Sequence, residues 1–150
     1  MNEMLSEAKA AARALRMRLF FAAARSPDEF ESAFAEINRA RPDALLVFPS
    51  PTFFTERKRL VELAANHRLP AIFNTRQAAE LGGLIGYGTN VLELVRRSAT
   101  YVDRILKGAR ADLPVEQPTR FELVINMKTA KALGLTIAPS LLLRADHVIE

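Results

Sequence analysis

The chain alternates short apolar runs with longer segments of helical periodicity, and this alternation constrains its fold more than any other feature. The runs "DALLVF" and "PAIFN" are apolar almost throughout, which is typical of strands that helices cover on both faces. Segments rich in Ala, Leu, Glu, Lys and Arg separate such runs. Alternation of this kind predicts an α/β fold, a Rossmann-like parallel sheet with helices on both faces.

The periodicity also predicts where the elements lie. Helices are predicted over residues 2–15, 27–37, 53–67, 77–81, 91–105, 127–133 and 139–149. Strands are predicted over residues 17–24, 43–48, 70–74, 84–85 and 120–126. The series opens with a helix, whereas a doubly wound unit opens with a strand, so we expect a first strand to be missing.

Several helix ends carry recognisable local signals. Ser26 and Glu29 have the spacing of a capping box, and Asn90 and Asn126 are placed as N-caps. Gly134 is placed to end a helix. The long helix after Asn90 is predicted to turn one apolar stripe inward, formed by Val91, Val95, Ser98, Val102 and Ile105. The glycines of "GGLIGYG" are predicted to mark tight turns on either side of a short strand.

The segments that follow the predicted strands supply a candidate ligand site. In open parallel sheets, ligands bind in the crevice outside the carboxyl ends of the strands. Polar and aromatic side chains occur together there, a mixture that suits reversible binding of a small molecule. The candidate ligand-binding residues are Ser50, Thr52, Phe53, Phe54, Asn74, Arg76 and Tyr87.

Each candidate also has a purely structural interpretation, which the sequence leaves open. Ser50 or Thr52 can cap the next helix, and Asn74 can satisfy a turn. The two adjacent phenylalanines differ in helical position. Phe53 shares a helix face with the apolar residues Leu60, Leu63 and Ala64, so it is assigned mainly to packing. Phe54 is the better candidate for a cleft wall.

Catalytic, metal and cofactor sites are not predicted. The sequence has no cysteine, which excludes disulfides, thiolate metal sites and a cysteine nucleophile. His67 and His147 lie far apart, and neither has metal-ligand spacing. No nucleophile elbow, P-loop or dinucleotide fingerprint occurs, which also disfavours a flavin carrier. The net charge of +4 is spread along the chain without a basic arm, so we expect no nucleic-acid partner.

Three stretches together resemble a known family. They are "RSPDEFESAFAEINRARPDALLVFPSPTFF", "VELAANHRLPAIFNTRQAAELGGLIGYG" and the C-terminal "YVDRILKGARADLPVEQPTRFELVINMKTAKALGLTIAPSLLLRADHVIE". They are similar to the ABC transporter substrate-binding family that includes the tryptophan- and tyrosine-binding periplasmic proteins. The resemblance runs from about residue 5 to the C-terminus, and its most specific part is "ILKGA…DLPVEQPT.FELVIN.KTAKALGL".

The resemblance implies a fold of the type I periplasmic-binding-protein kind, with two α/β lobes joined by a three-strand hinge. A solute would bind between the lobes, and closure would present the protein to a membrane permease. On that scheme residues 1–81 match the second lobe. Residues 82–117 match the return to the first lobe plus a linker, and residues 118–150 match the final hinge strand and C-terminal helices.

The chain departs from the family in length. Members are about twice as long, so we expect the N-terminal half, with most of the first lobe, to be missing. The apolar stripe of the long helix would then need other cover, and we expect a homodimer. The resemblance implies a periplasmic location, although the N-terminus lacks a signal-peptide pattern. If the chain is the native product, we expect a cytoplasmic one.

The predicted function is therefore reversible, non-catalytic binding of a small organic solute such as an amino acid, as part of an ABC importer. Arg76 would pair with a ligand carboxylate. The alternative is a truncated α/β module that oligomerises and has no ligand role.

Overall fold

The computed structural model describes residues 2–108 and 120–150. The chain divides into two compact units, Met1–Pro42 and Asp43–Glu150. The predicted division at residues 81 and 117 follows the lobes of the family instead and stays a prediction. The predicted linker lies mainly in residues 109–119, outside the described residues.

The first unit contains two helices. α1 spans Asn2–Ala14, a short 3-10 turn spans Pro27–Glu29, and α2 spans Phe30–Ala40. One face of α2 is buried, through Phe30, Ala33, Phe34 and Ile37. α2 ends at Arg41, whose backbone is left-handed with a φ of 49°.

The capping box before α2 forms differently from the prediction. Ser26 occupies the N-cap position of the 3-10 turn, but its side chain makes no capping hydrogen bond. The backbone N–H of Arg25 donates to Oε2 of Glu29 at 2.7 Å instead. In a capping box Glu29 would accept from the backbone N–H of Ser26. It accepts instead from the N–H of Arg25, one residue earlier.

The strand predicted at residues 17–24 is wrong, because this segment is irregular. The backbone N–H of Met17 turns back to the carbonyl oxygen of Ala12 at 2.8 Å. Phe20 and Phe21 are 50% and 42% exposed. A strand needs a neighbour for its ladder hydrogen bonds, and no described strand pairs with these residues. β propensity alone does not make a strand here.

The described residues of the second unit form a five-stranded sheet in the order β1-β2-β3-β4-β5. The strands are β1 (Leu45–Leu46), β2 (Ala71–Phe73), β3 (Ile85–Thr89), β4 (Phe121–Asn126) and β5 (His147–Ile149). β1, β2 and β3 are mutually parallel, β4 is antiparallel to β3, and β5 is parallel to β4. The predicted α/β class with a mainly parallel sheet is confirmed.

Six helices accompany the sheet in the described part of this unit. They are α3 (Pro51–Thr55), α4 (Arg57–Asn66), α5 (Arg76–Glu80), α6 (Val91–Leu106), α7 (Met127–Leu133) and α8 (Pro139–Leu142). The single helix predicted over 53–67 begins earlier and is interrupted at Glu56, whose φ and ψ of −89° and 16° leave the helical region. The caps predicted from local sequence are confirmed: Asn90 accepts from the N–H of Glu93, Asn126 accepts from the N–H of Thr129, and Gly134 ends α7.

Two further predictions fail because of pairing between distant residues. Gly86 and Gly88 lie inside β3 rather than in turns beside it. The last predicted helix stops at Leu142, and residues 147–149 form β5. Asp146 connects β5 to β4, because its backbone N–H donates to the carbonyl of Leu123 and its Oδ2 accepts from the N–H of Leu123, both at 2.8 Å.

The apolar stripe of α6 is exposed, not inward as the sequence predicts. No residue of this 16-residue helix is buried. Its half-buried positions include Leu94, Arg97 and Tyr101, which lie beside the stripe and not on it. Among the described residues, nothing covers the stripe, so the periodicity is right and the expected burial is wrong.

Asn126 joins three elements in the core of the second unit. It is 5% exposed, it caps α7, and its Nδ2 donates to the carbonyl oxygen of Ala79 at the end of α5, at 2.9 Å. Removing its side chain would remove a cap and one of two donors to the Ala79 carbonyl, which also accepts from the backbone N–H of Gly82 at 3.1 Å. The two losses fall on different elements, so Asn126 ties β4, α5 and α7 together.

We expect Asn126→Ala to lower the free energy of unfolding by about 2–3 kcal/mol, the sum of a lost cap and a lost buried hydrogen bond. Urea denaturation measures the change. Asn90→Ala is the comparison, because Asn90 makes the same capping bond in α6 and its Nδ2 also donates to a side chain, that of Glu122, but at a half-buried position; it is expected to cost about 1 kcal/mol. Equal losses in the two variants would contradict the core role of Asn126.

Candidate functional site

The candidate site lies at the carboxyl ends of β1, β2 and β3, which share one edge of the sheet because the strands are parallel. The loop to α3 follows β1, and Asn74 and Thr75 follow β2 directly. β3 ends at Thr89, beside the beginning of β4. Three chain segments therefore reach the same edge.

The loop after β1 leaves polar groups uncommitted to capping. Ser50 occupies the N-cap position of α3 with an extended backbone, but its side chain makes no capping hydrogen bond. Thr52 is half-buried in the first turn of α3. The cap interpretation therefore does not account for the Ser50 hydroxyl.

Phe54 has a cationic neighbour that the sequence analysis missed. The guanidinium carbon of Arg57 lies 4.8 Å from the centroid of the Phe54 ring, and its Nη1 donates to the Phe54 carbonyl oxygen at 2.7 Å. The i, i+3 spacing of the two residues could have indicated this contact. Phe54 remains 38% exposed, whereas Phe53 is half-buried.

The loop after β2 packs directly on the backbone of β3. A Cβ at Gly88 would lie 1.9 Å from the carbonyl oxygen of Asn74, and one at Gly86 would lie 2.4 Å from that of Thr75. No other residue type has room at these positions. The glycines therefore set the position of Asn74 and Thr75, and the latter is 5% exposed.

Arg76, the first residue of α5, is already paired. Its Nε donates to Oε1 of Glu80 at 2.6 Å, and both side chains are about 40% exposed. The hydrogen bond to Glu80 is the main reason that the pKa of Arg76 is raised; partial burial lowers it, and the charges of Glu80 and Glu122 raise it further. The guanidinium is thus held in place by one carboxylate and lies in the field of a second.

Glu122 is the functional candidate that the sequence analysis missed. It lies directly opposite Gly88 in the ladder between β3 and β4. Its Oε1 accepts a hydrogen bond from Nδ2 of Asn90 at 2.5 Å. The available signal was its place as the only acidic residue of the predicted strand "RFELVIN", but only the pairing of β4 with β3 brings it to the strand ends.

Tyr87 lies on the other face of the sheet. It stands between Gly86 and Gly88 in β3, and successive side chains of a strand point to opposite faces. Its ring stacks on Phe121 with a centroid distance of 5.9 Å and an interplanar angle of 23°, and both residues are about half exposed. Tyr87 is therefore separated from the cluster that Gly88 organises.

The structure thus brings the backbone of Asn74, the side chain of Arg76 and the unpredicted Glu122 together beside Gly86 and Gly88. We call these three residues the charged rim. Ser50, Thr52, Phe53 and Phe54 follow the neighbouring strand β1, and Tyr87 faces away. A cavity of about 470 Å³ lies at the opposite ends of the strands, among residues such as Leu69, Ala71 and Leu84. None of the predicted site residues lines it.

Metal ligation and membrane insertion find no support in the described part of the chain. Residues 2–108 and 120–150 contain no group of three or more His, Asp or Glu side chains arranged to hold a metal ion. Within the same residues, no helix has both the length and the apolar character needed to cross a bilayer.

Comparison with known proteins gives a consistent result. The family model described as ABC transporter substrate binding protein matches residues 2–149. No protein with a curated description matches the sequence. A Streptococcus pneumoniae ABC domain in complex with L-Trp has a TM-score of 0.87 at 28% identity, with 99% of this chain and 51% of that chain covered.

Two further solved structures are similar in fold. A conserved domain protein from Vibrio cholerae O1 biovar El Tor strain N16961 has a TM-score of 0.87 at 24% identity, covering 97% of this chain and 49% of that chain. The ligand-free, open structure of a substrate-binding protein with adhesive properties from Clostridium difficile has a TM-score of 0.65 at 18% identity, covering 99% and 50%. The chain spans about half the length of these proteins.

We expect Gly88→Ala to lower the free energy of unfolding by about 3 kcal/mol, because its Cβ would overlap the Asn74 carbonyl and force the loop away. Urea denaturation measures the loss, and hydrogen exchange of residues 74–76 measures the displacement. Gly134→Ala is the control, since Gly134 has a φ of +72° but nothing within 4 Å of its Cβ position. It should cost about 1–2 kcal/mol from conformation alone, and unchanged exchange at residues 74–76 in Gly88→Ala would contradict the proposed packing.

Proposed function

The chain belongs to the ABC transporter substrate-binding protein family, and on that premise we propose that it is all or part of the solute-binding component of an ABC importer. It binds a small organic solute such as an amino acid, reversibly and without catalysis. The observation that carries this proposal is the charged rim, where the backbone carbonyl of Asn74 and both signs of charge meet beside β3.

The charged rim favours a zwitterion over a simple anion. Arg76 offers a guanidinium, which binds carboxylates with directional hydrogen bonds. Its Nε is engaged by Glu80, and its remaining N–H groups lie on the two terminal nitrogens. Glu122 offers a carboxylate that accepts hydrogen bonds from an ammonium group. An α-amino acid carries both complementary charges on neighbouring atoms, so one ligand satisfies both side chains.

The loop after β1 would supply the rest of the wall. Ser50 and Thr52 contribute hydroxyl groups, and Phe54 contributes an apolar face already stiffened by Arg57. Phe53 is assigned to packing. The complex of the Streptococcus pneumoniae relative with L-Trp supports an amino acid as the class of solute. Tyr87, on the opposite face, would act through the stack with Phe121 and not by direct contact with the ligand.

The partners and location follow from the family. We propose that a membrane permease receives the solute and that the protein works in the periplasm. Because the chain spans about half the length of its solved relatives, a closed two-sided cleft needs a second wall from outside the described residues. We further propose that the chain self-associates as a homodimer, since the exposed stripe of α6 needs cover.

The exposed stripe also favours the second candidate function, an α/β module that oligomerises and binds no solute. The two functions differ in one measurable property, stabilisation by a ligand. A solute that binds only the folded state raises its stability. A panel of amino acids, other carboxylates and sugars in a thermal-shift assay therefore separates them, and no stabilisation by any class would favour the module.

We expect Glu122→Gln to weaken binding of the best amino acid by about 10-fold or more, because a charge-assisted hydrogen bond to the ammonium is lost. Isothermal titration calorimetry measures the change. The affinity for the corresponding carboxylic acid without its amino group should stay within about 2-fold of the original protein.

Glu62→Gln is the matched control for this substitution. Glu62 forms an exposed ion pair with Lys58 at 4.0 Å on α4, and its loss should leave affinity unchanged. Equal weakening of the amino acid and its deaminated analogue by Glu122→Gln would argue against ammonium recognition while leaving solute binding intact.

The two phenylalanines provide a separate test. Phe54→Ala is expected to weaken ligand binding by about 10-fold with a loss of less than about 1.5 kcal/mol in unfolding free energy, because the ring is partly exposed. Phe53→Ala is expected to do the reverse, with about 2–3 kcal/mol of stability lost and little change in affinity. Calorimetry and urea denaturation of both variants measure the two effects, and the opposite assignment would contradict the model of the wall.

A further inference from the structure

The side chain of Asn90 contacts two elements at once. Its Oδ1 accepts a hydrogen bond from the backbone N–H of Glu93 at 3.0 Å, which caps the first turn of α6. Its Nδ2 donates to Oε1 of Glu122 on β4 at 2.5 Å. Asn90 and Glu122 are both half-buried. One amide group therefore joins a carboxylate of the charged rim to the beginning of a helix.

The register of the sheet brings these two side chains together. Gly88 and Glu122 are ladder partners, and so are Thr89 and Phe121. Asn90 follows β3 directly, with an extended backbone at a ψ of 100°. It therefore stands on the same face as Glu122, as its diagonal neighbour across the two strands. The contact depends on the pairing of β3 with β4, which is independent of any bound solute.

The chemistry of the two contacts requires a carboxamide at position 90. An asparagine side chain carries one oxygen that accepts and one nitrogen that donates, and both belong to a single planar group. A rotation that breaks one of the two hydrogen bonds therefore displaces the atom that makes the other. Aspartate can cap a helix but has no donor, and serine and threonine can cap but have no second polar atom for Glu122.

The hydrogen bond from Asn90 also determines which part of Glu122 is free to bind. It engages Oε1, so Oε2 is the oxygen that can accept from a ligand ammonium group. In the described part of the chain, no other side chain donates a hydrogen bond to Glu122. A carboxylate that is already held in one orientation loses less conformational entropy when a ligand binds.

We propose that Asn90 is a positioning residue for solute recognition, which holds the Glu122 carboxylate at the charged rim and links occupation of the rim to the first turn of α6. This inference rests on the proposed function, because Glu122 is there the partner of the ligand's ammonium group. A ligand that fixes Glu122 also fixes the amide of Asn90 and hence the cap. By linkage, a firmer cap favours binding to the same extent.

The first experiment measures affinity by isothermal titration calorimetry. Asn90→Ser keeps a capping hydroxyl and removes the donor to Glu122, so it should weaken binding of the best amino acid by about 5-fold. Its affinity for the deaminated analogue should stay within about 2-fold of the original protein. Asn90→Thr makes the same change with a different capping residue, and it should give the same result.

Asn126→Ser is the matched control. Asn126 also caps a helix, and its Nδ2 also donates to a second element, here the Ala79 carbonyl in the core. The substitution should lower the stability of the protein and leave both affinities unchanged. Equal weakening of binding by Asn126→Ser and Asn90→Ser would show a general effect of stability and would overturn the inference.

A double-mutant cycle tests whether Asn90 acts through Glu122. When Glu122→Gln is already present, adding Asn90→Ser should change the affinity for the amino acid by less than about 2-fold, because the carboxylate that Asn90 positions is gone. If the losses from the two single substitutions multiply in the double variant, Asn90 acts independently of Glu122, and the inference is wrong.

The second experiment follows amide hydrogen exchange by NMR and needs no ligand. Glu122→Gln should speed exchange of the Glu93 amide by about 3-fold, because a neutral acceptor holds the capping amide of Asn90 less firmly. The Thr129 amide is the internal control, since Asn126 caps it, and its exchange should not change. A saturating amino acid should slow exchange at Glu93 in the original protein and have no such effect in Asn90→Ser.

The two experiments separate this inference from the proposed function. Unchanged exchange at Glu93 in Glu122→Gln would overturn the link between β4 and α6, even in a protein that binds amino acids. If no amino acid binds to the original protein, the proposed function fails. The exchange of Glu93 in Glu122→Gln still decides in that case whether Asn90 connects the carboxylate to the helix.

Discussion

The close approach of β3 to the loop after β2 is the constraint on which the rest of the candidate site depends. Because Gly86 and Gly88 have no Cβ, the carbonyl groups of Asn74 and Thr75 pack directly on the strand. This contact fixes where α5 begins, and hence where Arg76 projects. It also fixes the side of the sheet on which the cluster forms, since the intervening Tyr87 points the other way. The absence of a Cβ at Gly86 and Gly88 thus determines how the loop after β2 is placed at this edge of the sheet.

Electrostatics then decides what that edge can bind. Arg76 is held by Glu80 and feels Glu122 as well, so two carboxylates face one guanidinium at a half-exposed position. A ligand that carries only a negative charge would compete with Glu80 for the guanidinium and would be repelled by Glu122. A ligand that also carries an ammonium group can pair that group with Glu122 instead. The same residues that weaken a simple carboxylate site therefore favour a ligand with both charges.

How much of this the sequence predicts depends on the range of the interactions involved. Helix caps at Asn90 and Asn126 are predicted correctly because they involve residues three apart, and the strand-end rule locates the loops because it needs only the order of elements. The strand at residues 17–24, the helix over 139–149 and the omission of Glu122 fail for one shared reason. Each depends on the pairing of segments that are far apart in the sequence, and neither composition nor periodicity predicts that pairing. The stripe of α6 is a related case, since periodicity gives the apolar face without saying what covers it.

The antiparallel pairing of β4 with β3 has a consequence for how this fold tolerates change. The chain leaves the sheet after Thr89 and returns at Phe121, and these two residues are ladder partners. The ends of the intervening excursion are thus pinned side by side, with Asn90 bonded to Glu122 at its base. Since the cost of closing a loop grows only slowly with its length, the excursion can be lengthened, shortened or exchanged while the register of the sheet is kept. The connection between Thr89 and Phe121 is therefore a position at which a whole domain can be added or replaced while the strand pairing of the sheet is kept.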